Sequence, residues 1–149
     1  MHPRIPALLL AAFCCLAACG TAVARPLSFG GQGCWVTMEI PSGWSASLKD
    51  NGRKLSMVEQ DTMRSIDIYP RRMEGTLETY ARKAAATLSS NYTVKVTRRN
   101  ERLYELVATG RGPGLRVLVI GAKPGVALVF ATNCDEKTTG RMAKCLTWR

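Results

Sequence analysis

Val36-Thr37-Met38-Glu39-Ile40-Pro41-Ser42-Gly43-Trp44 decides the fold. With Trp35 in front, its first part is rich in β-formers and partly alternating, which reads as a strand. Pro41-Ser42-Gly43 interrupts that strand, and a second run, Trp44 to Lys49, resumes behind the break. Asp50-Asn51-Gly52 follows, and Asn-Gly supplies the positive φ angles that a type I′ hairpin turn requires. Lys54 to Val58 is the returning strand. Ser65-Ile66-Asp67-Ile68-Tyr69 then alternates cleanly, with Pro70 expected to end it. Trp35 and Trp44 could form an exposed recognition surface, but a Trp beside a Pro-Gly turn is expected to staple its hairpin to the core.

Downstream, the period changes. Thr76 reads as an N-cap with Glu78 near the positive helix end, and Leu77, Tyr80, Ala81, Ala84 and Leu88 recur at helical spacing. Ser89-Ser90-Asn91 stops this helix. Four strand-like runs follow: Tyr92 to Thr97, Leu103 to Thr109, Leu115 to Gly121, and Val126 to Thr132. Turn chemistry separates them at Arg99-Asn100, at Gly110 to Gly114 and at Lys123-Pro124-Gly125. Asn133 is expected to cap a closing helix, with Glu136 in the capping-box position and Met142, Cys145 and Leu146 on its apolar side. Strands, helix, strands, helix argue an α+β fold: an antiparallel sheet with two helices packed on it.

This order, together with the strand Val36 to Ile40 leading into Pro41-Ser42-Gly43-Trp44 and the helix behind Gly75-Thr76-Leu77, resembles the PsbP/DcrB-like α/β sandwich family. The resemblance spans most of residues 34–149. It implies a binding, assembly or chaperone-like role and brings no catalytic set.

Upstream of the domain, a basic start (Met1 to Arg4) precedes an apolar run, Ile5 to Ala18, that suits a signal-peptide h-region and is too short for a permanent span. Leu16-Ala17-Ala18-Cys19 resembles the lipobox of bacterial lipoproteins, which implies acylation of Cys19 and a mature chain that begins there. The resulting division is a signal peptide at 1–18, a flexible tether at 19–33 and a single domain at 34–149. Gly20 behind the cysteine, by the same resemblance, is compatible with sorting to an outer membrane. Ala22-Val23-Ala24 offers a competing cleavage site that would release a soluble periplasmic or secreted protein starting at Arg25.

The chain has 21 Lys and Arg against 11 Asp and Glu, a formal +10, and only one of those cations, Arg4, lies in the leader. Such an excess favours anionic partners, while export argues against nucleic acid. Lys95, Arg98, Arg99 and Arg102 form the densest local group and are the candidate anionic-partner patch; the competing reading is a charged strand edge guarded against aggregation. Arg71-Arg72 and Arg82-Lys83 are further basic pairs. The glycines from Gly110 to Gly114 lack the G-K-[ST] and the following helix of a phosphate loop, so a hairpin is expected there.

The one histidine is His2, in the leader. The mature chain therefore has no imidazole base and no histidine metal ligand. Glu59, Asp61 and Asp67 show no spacing that would make a carboxylate pair converge. No catalytic residue, metal or cofactor is expected. Of six cysteines, Cys34, Cys134 and Cys145 remain in the domain without any C-x-x-C. An oxidising compartment favours one disulfide, with Cys34 as one member and Cys134 or Cys145 as the other, against a reading in which all three stay reduced. The chain thus reads as a lipid-anchored, non-enzymatic envelope module with a basic surface, held to the membrane through Cys19 and facing an anionic envelope component or protein. The alternative is a periplasmic inhibitor or immunity protein directed at an exported toxin or hydrolase.

Overall fold

The structure is a computed structural model that describes residues 25–149. Cys19 and both candidate cleavage sites lie outside the described residues. The elements are β1 (Arg25–Gly31), β2 (Cys34–Ile40), β3 (Trp44–Lys49), β4 (Lys54–Glu59), β5 (Ser65–Arg72), α1 (Leu77–Leu88), β6 (Thr93–Asn100), β7 (Leu103–Thr109), β8 (Leu115–Lys123), β9 (Val126–Thr132), α2 (Glu136–Ala143) and β10 (Leu146–Trp148). All strand pairs are antiparallel. Seven strands form one sheet in the order β3-β4-β5-β9-β8-β7-β6, and three form another, β1-β2-β10. The α+β expectation holds.

Alternation along the central strands builds two cores. Leu128 and Phe130 of β9, Ile66 and Ile68 of β5 and Leu55 and Met57 of β4 point to one face of the large sheet. There they meet Phe29, Val36 and Met38 of the small sheet and Met142 of α2. Ala127 and Val129 of β9, Val117 and Val119 of β8 and Leu106 of β7 point to the other face, against Leu77, Ala81, Ala85 and Leu88 of α1. The domain is therefore layered: α1, the large sheet, then the small sheet with α2. Two burial faces per strand explain the near-continuous apolar runs of β8 and β9.

Local chemistry sets the turns. Asn51 and Gly52 take φ of 55° and 79°, and the Arg53 amide donates to the Asp50 carbonyl at 3.2 Å, which closes the expected type I′ turn. The Thr76 hydroxyl accepts from the Thr79 amide, as an N-cap should. Trp44 is 8% exposed and packs into the core behind the turn, whereas Trp35, on the outward side of β2, is 62% exposed.

Several expectations are corrected. The tether does not extend to residue 33, because Arg25–Gly31 is a strand in full register with β2. Leu27 and Phe29 alternate inward, and Phe29 is fully buried. Pro70 does not end β5, which runs on to Arg72. The Met73 amide donates to Gly125, so odd-numbered amides of β5 face β9 and the Pro70 nitrogen faces the β4 flank. Pairing with β4 has already stopped at Ile68, so no ladder bond is lost there. Asp135, not Asn133, caps α2: its carboxylate accepts from the Thr138 amide at 2.7 Å, while Asn133 Oδ1 accepts from the Ser65 amide. The closing helix stops at Ala143, and Leu146–Trp148 pairs with β2 as a strand.

Among the described residues the expected disulfide is absent: Cys34, Cys134 and Cys145 are free. Leu146 sits opposite Met38, which places Cys145 beside Glu39, five residues and about 16 Å along β2 from Cys34. Lys123 Nζ donates to the Gly33 carbonyl, so Cys34 lies near the start of β9, while Cys134 follows its far end. That separation is about 20 Å of strand, and a bridge needs Cα atoms within about 7 Å. Burial pushes the Cys34 and Cys134 thiols up, away from the reactive thiolate.

Candidate functional site

The expected patch on β6 does not converge. Alternation places Lys95 and Arg99 on the sheet face that carries α2, together with Glu105, Arg116 and Glu136 around an open cleft of about 390 Å³. Arg98 points to the α1 side, where the hydrogen bond from Arg82 chiefly, and the charge of Arg98 in small part, hold the Glu78 carboxyl low. The Arg102 guanidinium donates to the Gly121 and Ala122 carbonyls and clamps the neighbouring turn. Arg99 is occupied as well: its Nε donates to Glu105 at 2.5 Å and its Nη2 reaches Glu136 at 3.2 Å.

Glu105 is 4% exposed and sits between Arg99 and Arg116, bonded to both. Burial alone would raise its carboxyl, but the hydrogen bonds from Arg116 and Arg99 outweigh that and hold it below the usual range. A buried carboxylate with two guanidinium partners, one of which also ties down the first turn of α2, is a fastening between helix and sheet. Glu59, Asp61 and Asp67 do not gather either. Glu59 reaches Arg64 at 3.8 Å, and Asp67 is held by Lys54 at 2.8 Å and by the Ser56 hydroxyl at 2.7 Å.

The positive charge concentrates elsewhere. Five turns or strand ends meet at one end of the domain: β1–β2, β3–β4, the end of β5, β6–β7 and β8–β9. The Gly30 amide donates to the Gly52 carbonyl at 3.0 Å, Lys123 reaches Gly33, and the Met73 amide donates to Gly125 at 3.0 Å, which locks these turns together. The segments bring Lys49, Arg53, Lys54, Arg71, Arg72, Arg102, Lys123 and Arg149 to that end, against Asp50, Glu74 and Glu101. Of these cations only Lys54 has a carboxylate within 4 Å among the described residues. The opposite end, where β1 begins at Arg25, mixes both signs.

Within this cationic pole lies a cavity of about 290 Å³ lined by Gly31, Gln32, Asp50, Arg53, Lys54, Tyr69, Pro70 and Arg71. Tyr69 forms its aromatic wall, with the Arg71 guanidinium 5.0 Å and Lys54 Nζ 5.9 Å from the ring centroid. The Arg53 side chain lies along Gly31 of the first hairpin. Arg53 and Arg71 keep open donors, so the cavity can take a carboxylate, phosphate or sulfate group by charge-assisted hydrogen bonds. The pair Arg71-Arg72 is visible in the sequence, but the assembly is not, because its members come from turns far apart in the chain. The one local signal was that most turns on one side of the strand alternation carry Lys or Arg.

The fold and this pole define a layered, antiparallel α+β domain with a concentrated cationic end. No protein-family model and no curated protein matches the chain. Among solved structures it is similar to LpqN, described as involved in cell envelope biogenesis of Mycobacterium tuberculosis, at 14% identity and a TM-score of 0.46, over 83% of this chain and 89% of that one.

Proposed function

We propose that the protein is a lipid-anchored, non-enzymatic envelope module that docks an anionic partner through the cationic pole. The signal for the anchor is the lipobox-like Leu16-Ala17-Ala18-Cys19; the observation that carries the docking role is the pole itself, with unpaired Arg53 and Arg71 lining a preformed cavity and Arg72 at the same end. The path of the chain gives the two parts one logic. Arg25 pairs with Ile40, at the end of the domain away from the pole. Six residues link Cys19 to Arg25, a reach of at most about 20 Å. An anchor at Cys19 therefore holds the mixed-charge end toward the membrane and turns the pole outward. Headgroups of the anchoring membrane are then the wrong partner, and an anionic group presented from across the gap is the right one. Tethering raises the effective concentration of the pole in that gap.

The test is retention on an immobilised polyanion as salt rises. Arg53→Glu, Arg71→Glu and Arg72→Glu together change charge by the same amount as Arg25→Glu, Arg64→Glu and Arg111→Glu at the far end. The pole triple is expected to elute at clearly lower salt than the control triple. Equal shifts would mean that net charge alone drives retention, and the pole would lose its role.

A further inference from the structure

α1 covers only part of its face of the large sheet. It packs mainly on β6, β7 and β8, and a groove runs along its side toward β9 and β5. The result is a groove of about 250 Å³ with Val117, Val119 and Val129 as floor, Ala84 and Leu88 of α1 as one wall, and Tyr69 as the end. Its floor is apolar and continuous, because these residues are the outward members of strands whose alternate residues fill the other core.

Tyr69 also walls the cationic cavity. Arg71 and Lys54 lie over its ring, so the groove ends where the cationic pole begins. Burial raises the Tyr80 hydroxyl, Tyr69 adds to that and Arg71 opposes it, so Arg71 stands within electrostatic reach of the groove wall as well as of the cavity. Apolar lining that runs into unpaired guanidinium donors is complementary to one kind of molecule, a chain with an anionic head.

We infer that the groove and the cavity form one site for a single-chain anionic amphiphile, its tail along Val117, Val119 and Val129 and its head on Arg71 and Arg53. The inference rests on the pole as an anion site and names a ligand class for it.

Calorimetric titration of the mature protein with decyl phosphate, ethyl phosphate and decyl maltoside, each below its micelle concentration, tests this. Decyl phosphate should bind at least about tenfold more tightly than either partial analogue, since each buried methylene contributes about 0.8 kcal/mol and tenfold is about 1.4 kcal/mol. Arg71→Gln should weaken decyl phosphate about tenfold and leave decyl maltoside unchanged. Ala84→Phe, which fills the groove, should weaken decyl phosphate and spare ethyl phosphate; Thr87→Trp at the exposed rim serves the same purpose if the first variant does not fold. Decyl maltoside binding as well as decyl phosphate would remove the head site. Ethyl phosphate binding as well as decyl phosphate would remove the tail site while leaving the pole intact. Polyanion retention without any decyl phosphate binding would overturn the amphiphile site alone.

Discussion

The Arg71 guanidinium lies over the Tyr69 ring, 5.0 Å from its centroid, with Lys54 5.9 Å from the same ring. Tyr69 thereby flanks two cations at the mouth of a cavity: Lys54, which is also paired with Asp67 at 2.8 Å, and Arg71, which has no carboxylate partner among the described residues. Arg71 and Tyr69 follow each other at every second residue of β5, so both stand on the face that carries α1, and the strand sets their stacking.

Removing the ring should loosen Arg71, since Lys54 keeps its pair with Asp67. Tyr69→Phe keeps the π face and should leave stability and polyanion retention within error of the parent. Tyr69→Leu should cost about 0.5–1 kcal/mol in urea unfolding and lower the salt at which the protein elutes. Equal behaviour of the two variants would show that the ring has no part in holding Arg71.

Glu105→Gln should destabilise the domain by about 2–3 kcal/mol at pH 7, since it strips Arg99 and Arg116 of their shared carboxylate in a buried setting. The carboxyl of Glu105 is held low in the folded state, so its contribution is present above the unfolded value near 4.3 and is lost as pH falls through the folded one. The gap between parent and variant should therefore close below about pH 4. A gap that stays constant down to pH 3 would assign the loss to packing instead.

Phe29→Ala should cost about 3–5 kcal/mol, because Phe29 is fully buried in the larger core. A residue in a flexible tether would cost nothing, so thermal unfolding separates the strand from the tether directly.

The intact mass of the mature protein should be the same with and without reductant, since Cys34, Cys134 and Cys145 are free. Under native conditions Cys145, the only one of the three not buried, should alkylate well before Cys34 and Cys134. A gain of two hydrogens on reduction would reveal a bridge.

Much of this architecture was legible because its signals are local. The bounds of β7 and β9, the Asn51-Gly52 turn and the Thr76 cap follow from alternation, backbone demands at positive φ, and capping chemistry. What escaped depends on partners distant in sequence. β1 looks like a linker because Gly30 and Gly31 mask its alternation, yet a Cβ on Gly30 would stand 2.5 Å from the Cys34 carbonyl oxygen. That glycine is there for close approach to β2. Asn133 has the chemistry of a cap but spends it on the Ser65 amide, which no local pattern reveals. The basic group on β6 misled for a related reason. Neighbours along a strand diverge to opposite faces, so Lys95 and Arg98 separate, whereas Arg53, Arg71 and Lys123 gather only once the turns are stacked.

On the proposed function, the domain is anchored through Cys19 and turns its cationic pole away from the membrane. The direct test places a fluorescent residue at Gln32, on the pole, or at Thr62, in the β4–β5 turn at the other end, in protein isolated from membranes and reconstituted into bilayers with a headgroup quencher. Strong quenching at Thr62 and weak quenching at Gln32 is the predicted result. Stronger quenching at Gln32, or a protein that leaves the bilayer altogether, would contradict it.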